Sequence, residues 1–197
     1  MEITAKMVKE LREATGAGMM DCKKALAESD GDMEKAGDYL RKKGIASASK
    51  KEGRATSQGI VGSYIHMGGK VGVLLEVACE TDFVARTDAF QEFVHNVAMH
   101  IAAARPVAVT REEVDGSLIE KEKEIYAAQM REQGKPEAMI DKIVVGKVDK
   151  YYSDVVLLEQ KYVKDPDVTI EEYLKSIIGS LGENMQIKRF ARFEIGG

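Results

Sequence analysis

One change of apolar period divides this chain. Val71, Val73, Leu74, Leu75 and Val77 form a run rich in branched residues, which suits a pleated, half-buried strand. From Asp88 the pattern turns helical: Phe90, Phe93, Val94, Val97 and Ile101 recur at spacings of three and four on one face. Asp88 and Gln91 are spaced as an N-cap and its partner three residues on. Arg105-Pro106 stops the helix near Ala104, because proline disfavours helical geometry in the residue before it. That helical face is therefore the main core contact of its domain.

The connector between strand and helix is short: Cys79-Glu80-Thr81-Asp82-Phe83-Val84-Ala85-Arg86. It carries one large apolar ring, Phe83, beside two acids, Glu80 and Asp82. Connectors run over the surface, where a rigid scaffold positions functional side chains. Two readings stand. Phe83 tucks under the helix as a hydrophobic staple, or it is a wedge presented to another molecule.

Ahead of the strand, Ile60–His66 is a second β-prone run, and Met67-Gly68-Gly69-Lys70 makes a tight hairpin between the two. The alternation along the second strand is imperfect, which predicts burial on both faces with helices covering one. Earlier still, three short helices are expected. The first runs from an N-cap at Thr4 to Thr15-Gly16-Ala17-Gly18, with Val8 and Leu11 inward. The second spans about Met19–Ser29 with Cys22, Ala25 and Leu26 inward. The third spans about Asp32–Lys43, with Gly44 as its terminal glycine. A bundle this poor in large apolar residues is marginal alone and leans on a neighbour. Met19 and Met20 are about 100° apart on their helix, so both cannot point into so small a core.

Residues 46–57 are rich in Ser, Lys, Gly and Arg and read as a linker. The expected organisation is a three-helix domain at 1–45, a linker at 46–57 and an α+β domain at 58–197. Thr110 to Val168 reads as helical, with capping-box spacings at Thr110/Glu113 and Ser117/Glu120 and a division at Gly134-Lys135-Pro136. A helix through Lys147–Lys164 closes at Asp165-Pro166-Asp167, and Thr169 with Glu172 opens another that stops at Gly182. In the last strand, Ile187, Ala191, Phe193 and Ile195 are assigned to one face and Lys188, Phe190 and Arg192 to the other. That strand returns to pair with the hairpin. The fold class is α+β: a three-helix bundle, then a small antiparallel sheet with helices packed on one side.

Composition narrows the function. The 197 residues carry a net charge of −4, from 29 basic and 33 acidic side chains well mixed, without the basic stripe of a dedicated nucleic-acid binder. No apolar run of membrane-spanning length and no secretory signal is visible, which predicts a cytoplasmic protein. The three histidines, His66, His95 and His100, lack metal-ligand spacing, and no phosphate loop or nucleophile elbow appears. Cys79 beside Glu80 is a poor nucleophile, since nearby acids raise a thiol pKa. Neither covalent catalysis nor a metal or cofactor is expected.

Three segments together carry a resemblance. Leu75-Glu76-Val77-Ala78-Cys79-Glu80-Thr81-Asp82-Phe83-Val84-Ala85-Arg86 resembles the signature of the elongation factor Ts family. Val8–Arg12 with Thr15–Leu26 is similar to that family's ubiquitin-associated-like opening domain, and Leu157–Asp165 to a further family segment. The family exchanges guanine nucleotide on translation elongation factor Tu. The resemblance implies a GDP-bound and a nucleotide-free elongation factor Tu as partner, and it moves the reading of Phe83 from staple to wedge. It implies that Thr81, Asp82, Phe83 and Val84 enter the GTPase domain and disturb its Mg²⁺ site. Phe83 would pry helices apart, and Asp82 would supply a charge or cap that fixes the angle. Arg12, Met19 and Met20 match positions that grip the same domain. The stretch from Thr110 to Val168 is too short for a duplicated core with an inserted helical hairpin, so the short form is implied, paired as a homodimer through the C-terminal sheet. Two rival readings are an adaptor without exchange activity and an RNA-associated protein using Lys50, Lys51 and Arg54. No direct nucleic-acid or membrane contact is expected.

Overall fold

The computed structural model describes residues 3–196; Met1, Glu2 and Gly197, at the limits of the expected domains, lie outside the described residues. Helices α1 (Ala5–Thr15), α2 (Met19–Glu28) and α3 (Met33–Ser49) close around Val8, Leu11, Cys22, Ala25, Leu26, Ala36 and Leu40. Thr4 caps α1 by accepting the Met7 amide, and Asp32 caps α3 by accepting those of Glu34 and Lys35. Helix α3 does not stop at Gly44. It runs on to Ser49, because Gly44 serves helix packing: a Cβ built on Gly179 would lie 2.6 Å from the Gly44 Cα. The bundle leans on the next domain here, and the Ser180 hydroxyl donates to the Gly16 carbonyl at 2.8 Å.

Strands β1 (Gln58–Ile65) and β2 (Val71–Cys79) form the expected hairpin. A four-residue helix, α4 (Asp82–Ala85), occupies the connector, and α5 (Asp88–Ala104) follows. The cap of α5 is Thr87, which accepts the Phe90 amide, one residue ahead of the expected Asp88. Phe90, Phe93, Val94, Val97 and Ile101 are all buried against the sheet.

The region after Pro106 departs from a purely helical reading. Helices α6 (Gly116–Glu132) and α7 (Glu137–Val155) form an antiparallel hairpin with its own apolar cluster around Ile119, Met130, Ile140 and Val144. The two helices divide at Gly134-Lys135-Pro136, as expected, and the single three-stranded sheet leaves the core unduplicated. Asp115, not Ser117, caps α6, and Glu113 accepts from the Val109 amide rather than closing a box with Thr110. Helix α7 ends at Val155, and β3 (Lys161–Tyr162) and β4 (Asp165–Thr169) pair as a small ribbon. At the base of the α6–α7 hairpin the Val107 amide donates to the Val155 carbonyl and the Leu157 amide donates to the Ala108 carbonyl, which takes up an acceptor and a donor that a longer helix would need.

Helix α8 (Ile170–Leu181) opens on the expected Thr169–Glu172 capping box, and β5 (Met185–Glu194) completes an antiparallel sheet of order β1-β2-β5. The register of β2 with β5 shifts between Glu76 and Val77, leaving Lys188 as an extra residue. The bulge reverses the faces along β5. Ile187 is buried, Phe190 packs on the core, and Phe193 and Ile195 face outward, so the expected shared face of Ile187, Phe193 and Ile195 does not form. Nor is β2 buried on both sides. Helices cover one face only, and Leu74 opens to solvent on the other.

Candidate functional site

The site begins where the β2–β5 ladder runs out at the pair Cys79–Met185. Beyond it, two carboxylates take over from backbone pairing. Glu80 accepts the Asn184 amide at 2.6 Å, and Glu183 accepts the Thr81 amide at 3.0 Å and its hydroxyl at 2.7 Å. Each acid binds the amide that follows the other, making a reciprocal clasp.

Thr81 is held on all sides. Its hydroxyl oxygen also accepts the Val84 amide, capping α4, and its carbonyl accepts the Cys79 thiol at 3.1 Å. Burial, and secondarily the Glu183 charge, pushes the Cys79 thiol up from its ordinary pKa, so it stays a protonated donor. Asp82 pairs with Arg86 at 2.8 Å; the cap that sets the angle of the segment is Thr81, not Asp82. Val84 packs on the core, and its carbonyl accepts the Thr87 hydroxyl.

Phe83 alone turns away. With 77% of its surface exposed, it is no staple. A fixed turn holds an apolar ring in water, an arrangement suited to filling a groove on another surface.

On the bundle, Arg12 and the pair Met19 and Met20 flank the Gly16-Ala17-Gly18 turn. Arg12 is exposed, and so are both methionines, at 57% and 77%; neither enters the core, because Cys22, Ala25 and Leu26 already fill it. Two basic residues of the linker, Lys51 and Arg54, are engaged locally. Arg54 reaches Glu80 at 3.4 Å and its carbonyl accepts Asn184 Nδ2, while Lys51 donates to Ser47. The sequence marks Gly182 as a helix stop and Glu80 as a connector acid, and gives Glu183 and Asn184 no role, so the clasp is not read from it. The one available signal was an acid just past a helix end.

Among the described residues no group of three or more His, Cys, Asp or Glu side chains could hold a metal ion. Among the same residues no helix is long and apolar enough to cross a membrane.

The fold and this site define an α+β protein with an N-terminal three-helix bundle and an apolar ring presented on a clasped turn. The Elongation factor TS family model matches residues 44–197. Elongation factor Ts of Geotalea daltonii is 62% identical over 196 residues, covering 100% of this chain and 91% of the relative. That of Desulfosudis oleivorans is 59% identical over 194 residues, 98% of each chain. The chain belongs to the elongation factor Ts family, and so to the elongation factors of protein biosynthesis.

Proposed function

We propose that the protein promotes GDP release from elongation factor Tu by inserting Thr81–Val84 into the GTPase domain and disturbing its Mg²⁺ site. The observation that carries this reading is the outward Phe83 ring on a turn whose cap, Thr81, is already bonded through its amide and hydroxyl. Such a ring loses water when it enters a groove, a gain of about 1.5–3 kcal/mol for a fully buried Phe. Mg²⁺ neutralises phosphate charge, so its displacement weakens the bound nucleotide. Thousandfold loosening takes ~4 kcal/mol of differential binding, and the coupling is reciprocal: GDP loosens the factor by the same amount. Arg12, Met19 and Met20 add a second grip, with methionine adapting to the surface it meets. No bond is made or broken, and the reading needs no cofactor.

The division at 1–45, 46–57 and 58–197 then becomes functional, with α3 taking the first four residues of the expected linker: one unit grips, the other wedges, and residues 50–57 span them. The setting is the cytoplasm, and nucleic acid is no part of the contact. The outer sheet face supports a homodimer. Val61, Ile65, Leu74, Phe193 and Ile195 lie exposed across three strands, with Glu76 and Arg189 neutralising each other among them at 2.6 Å. A second copy covers such a face sheet on sheet.

The test is release of fluorescent GDP from elongation factor Tu, with wild type and with Phe83→Ala. Acceleration by wild type and none by the folded variant is expected. Equal acceleration by both removes the wedge, and none by either leaves the adaptor reading.

A further inference from the structure

The wedge needs a direction, and Phe83 belongs to none of the three apolar clusters that could supply one. Its direction comes from Thr81, the cap two residues earlier, and Thr81 is fixed from far along the chain. Both donors of Thr81 end on the Glu183 carboxylate, 102 residues away. Glu183 is itself placed by Gly182, whose φ of +81° ends α8 in the left-handed region and turns the chain toward β5. Asn184 locks the next position. Its amide goes to Glu80, its side chain to the Arg54 carbonyl, and it is 4% exposed.

We propose that Glu183 is the positioning residue of the exchange segment. By accepting both donors of Thr81 it holds α4 ready for insertion, so that little ordering is left to do when the partner arrives. The proposal rests on the wedge reading, and it assigns a function to a residue that acts through Thr81. Hydrogen bonds to a charged group are about twice as strong as neutral ones, so the carboxylate matters more than its shape. Glu183→Gln keeps the shape and one acceptor oxygen, while Glu183→Leu keeps neither acceptor.

Removing a positioning contact affects the insertion step rather than the grip through Arg12, Met19 and Met20. The release rate at saturating factor is therefore expected to fall about tenfold or more for Glu183→Leu. It falls less for Glu183→Gln, and the half-saturating concentration changes by less than about threefold in either. A role in folding alone would lower the fraction of active protein and leave the saturated rate per folded molecule unchanged. The Thr81 amide gives a second readout: its hydrogen exchange is slow in wild type and faster in Glu183→Gln.

The experiment measures GDP release against factor concentration for wild type, Phe83→Ala, Glu183→Gln and Glu183→Leu, with folded fractions taken from circular dichroism. A selective fall in saturated rate with loss of Thr81 protection sustains the proposal. An undiminished saturated rate in Glu183→Gln, with the Thr81 amide deprotected, overturns it while leaving the wedge intact. Full activity in Phe83→Ala overturns the wedge reading first, and the clasp falls with it. If Glu183→Leu does not fold, the Glu183→Gln result decides alone.

Discussion

Phe83 and His100 are opposite cases of one rule, that a side chain's cost depends on where its polar and apolar surface ends up. Phe83 has most of its ring in water, so Phe83→Ala should change stability by no more than about 0.5 kcal/mol while removing exchange activity. A large fall in melting temperature would return Phe83 to a structural role. His100 is fully buried between α5 and the β3–β4 ribbon. Gln160 donates its amide to the Ala104 and Asp154 carbonyls, so its oxygen must accept from His100 Nε2 at 2.9 Å. Nδ1 then accepts the Val163 amide, and the ring is neutral. Burial lowers its pKa below the ordinary value, against a smaller upward pull from Gln160. The folded state thus binds fewer protons than the unfolded chain, whose histidine titrates near ~6.5. Stability from this group is complete above that pH and is lost as pH falls below it, by up to about 1.4 kcal/mol per unit. Urea midpoints between pH 8 and 5.5 should show this slope in wild type and a shallower one in His100→Gln; equal slopes would refute it.

Among the elements, α3 and α8 show how a glycine can belong to packing instead of to a helix end. A Cβ on Gly179 meets the Gly44 Cα at 2.6 Å and its carbonyl oxygen at 3.0 Å, and both are backbone atoms that cannot rotate aside. Gly179→Ala should force the helices apart and cost about 1–3 kcal/mol. Gly146 sits in α7 with nothing within 4 Å of its would-be Cβ. Gly146→Ala should stabilise by about 0.5–1 kcal/mol, by helix propensity. Chemical denaturation of the two variants reads both signs; a neutral Gly179→Ala would mean that the helices separate freely.

At the scale of the whole molecule, three apolar clusters divide the chain: the bundle, the sheet with α5 and α8, and the α6–α7 hairpin. One sheet with helices on one side leaves its other side bare. If a second copy covers it, Phe193→Glu, which places a charge on the 66% exposed ring position, should convert the protein to monomer in light scattering without lowering its melting temperature by folding defects of the core. A wild-type protein that is monomeric at working concentration would show that the face stays open.

The sequence by itself determined what depends on local period and local caps. The hairpin, the buried face of α5, the Thr169–Glu172 box and the inward residues of the bundle all follow from spacings of two, three and four and from a cap within one turn. It also marked Thr81–Val84 as a connector worth presenting, though not which way Phe83 points. That direction depends on Glu183, a residue far along the chain whose approach is set by Gly182 and by the last pair of the β2–β5 ladder. The same holds for the β5 bulge, which reverses Phe193 and Ile195, and for Gly44, which a local reading makes a helix stop. Only the tertiary structure decided these, because each turns on two segments meeting across more than a hundred residues, and hydrophobic period carries no information about distant partners.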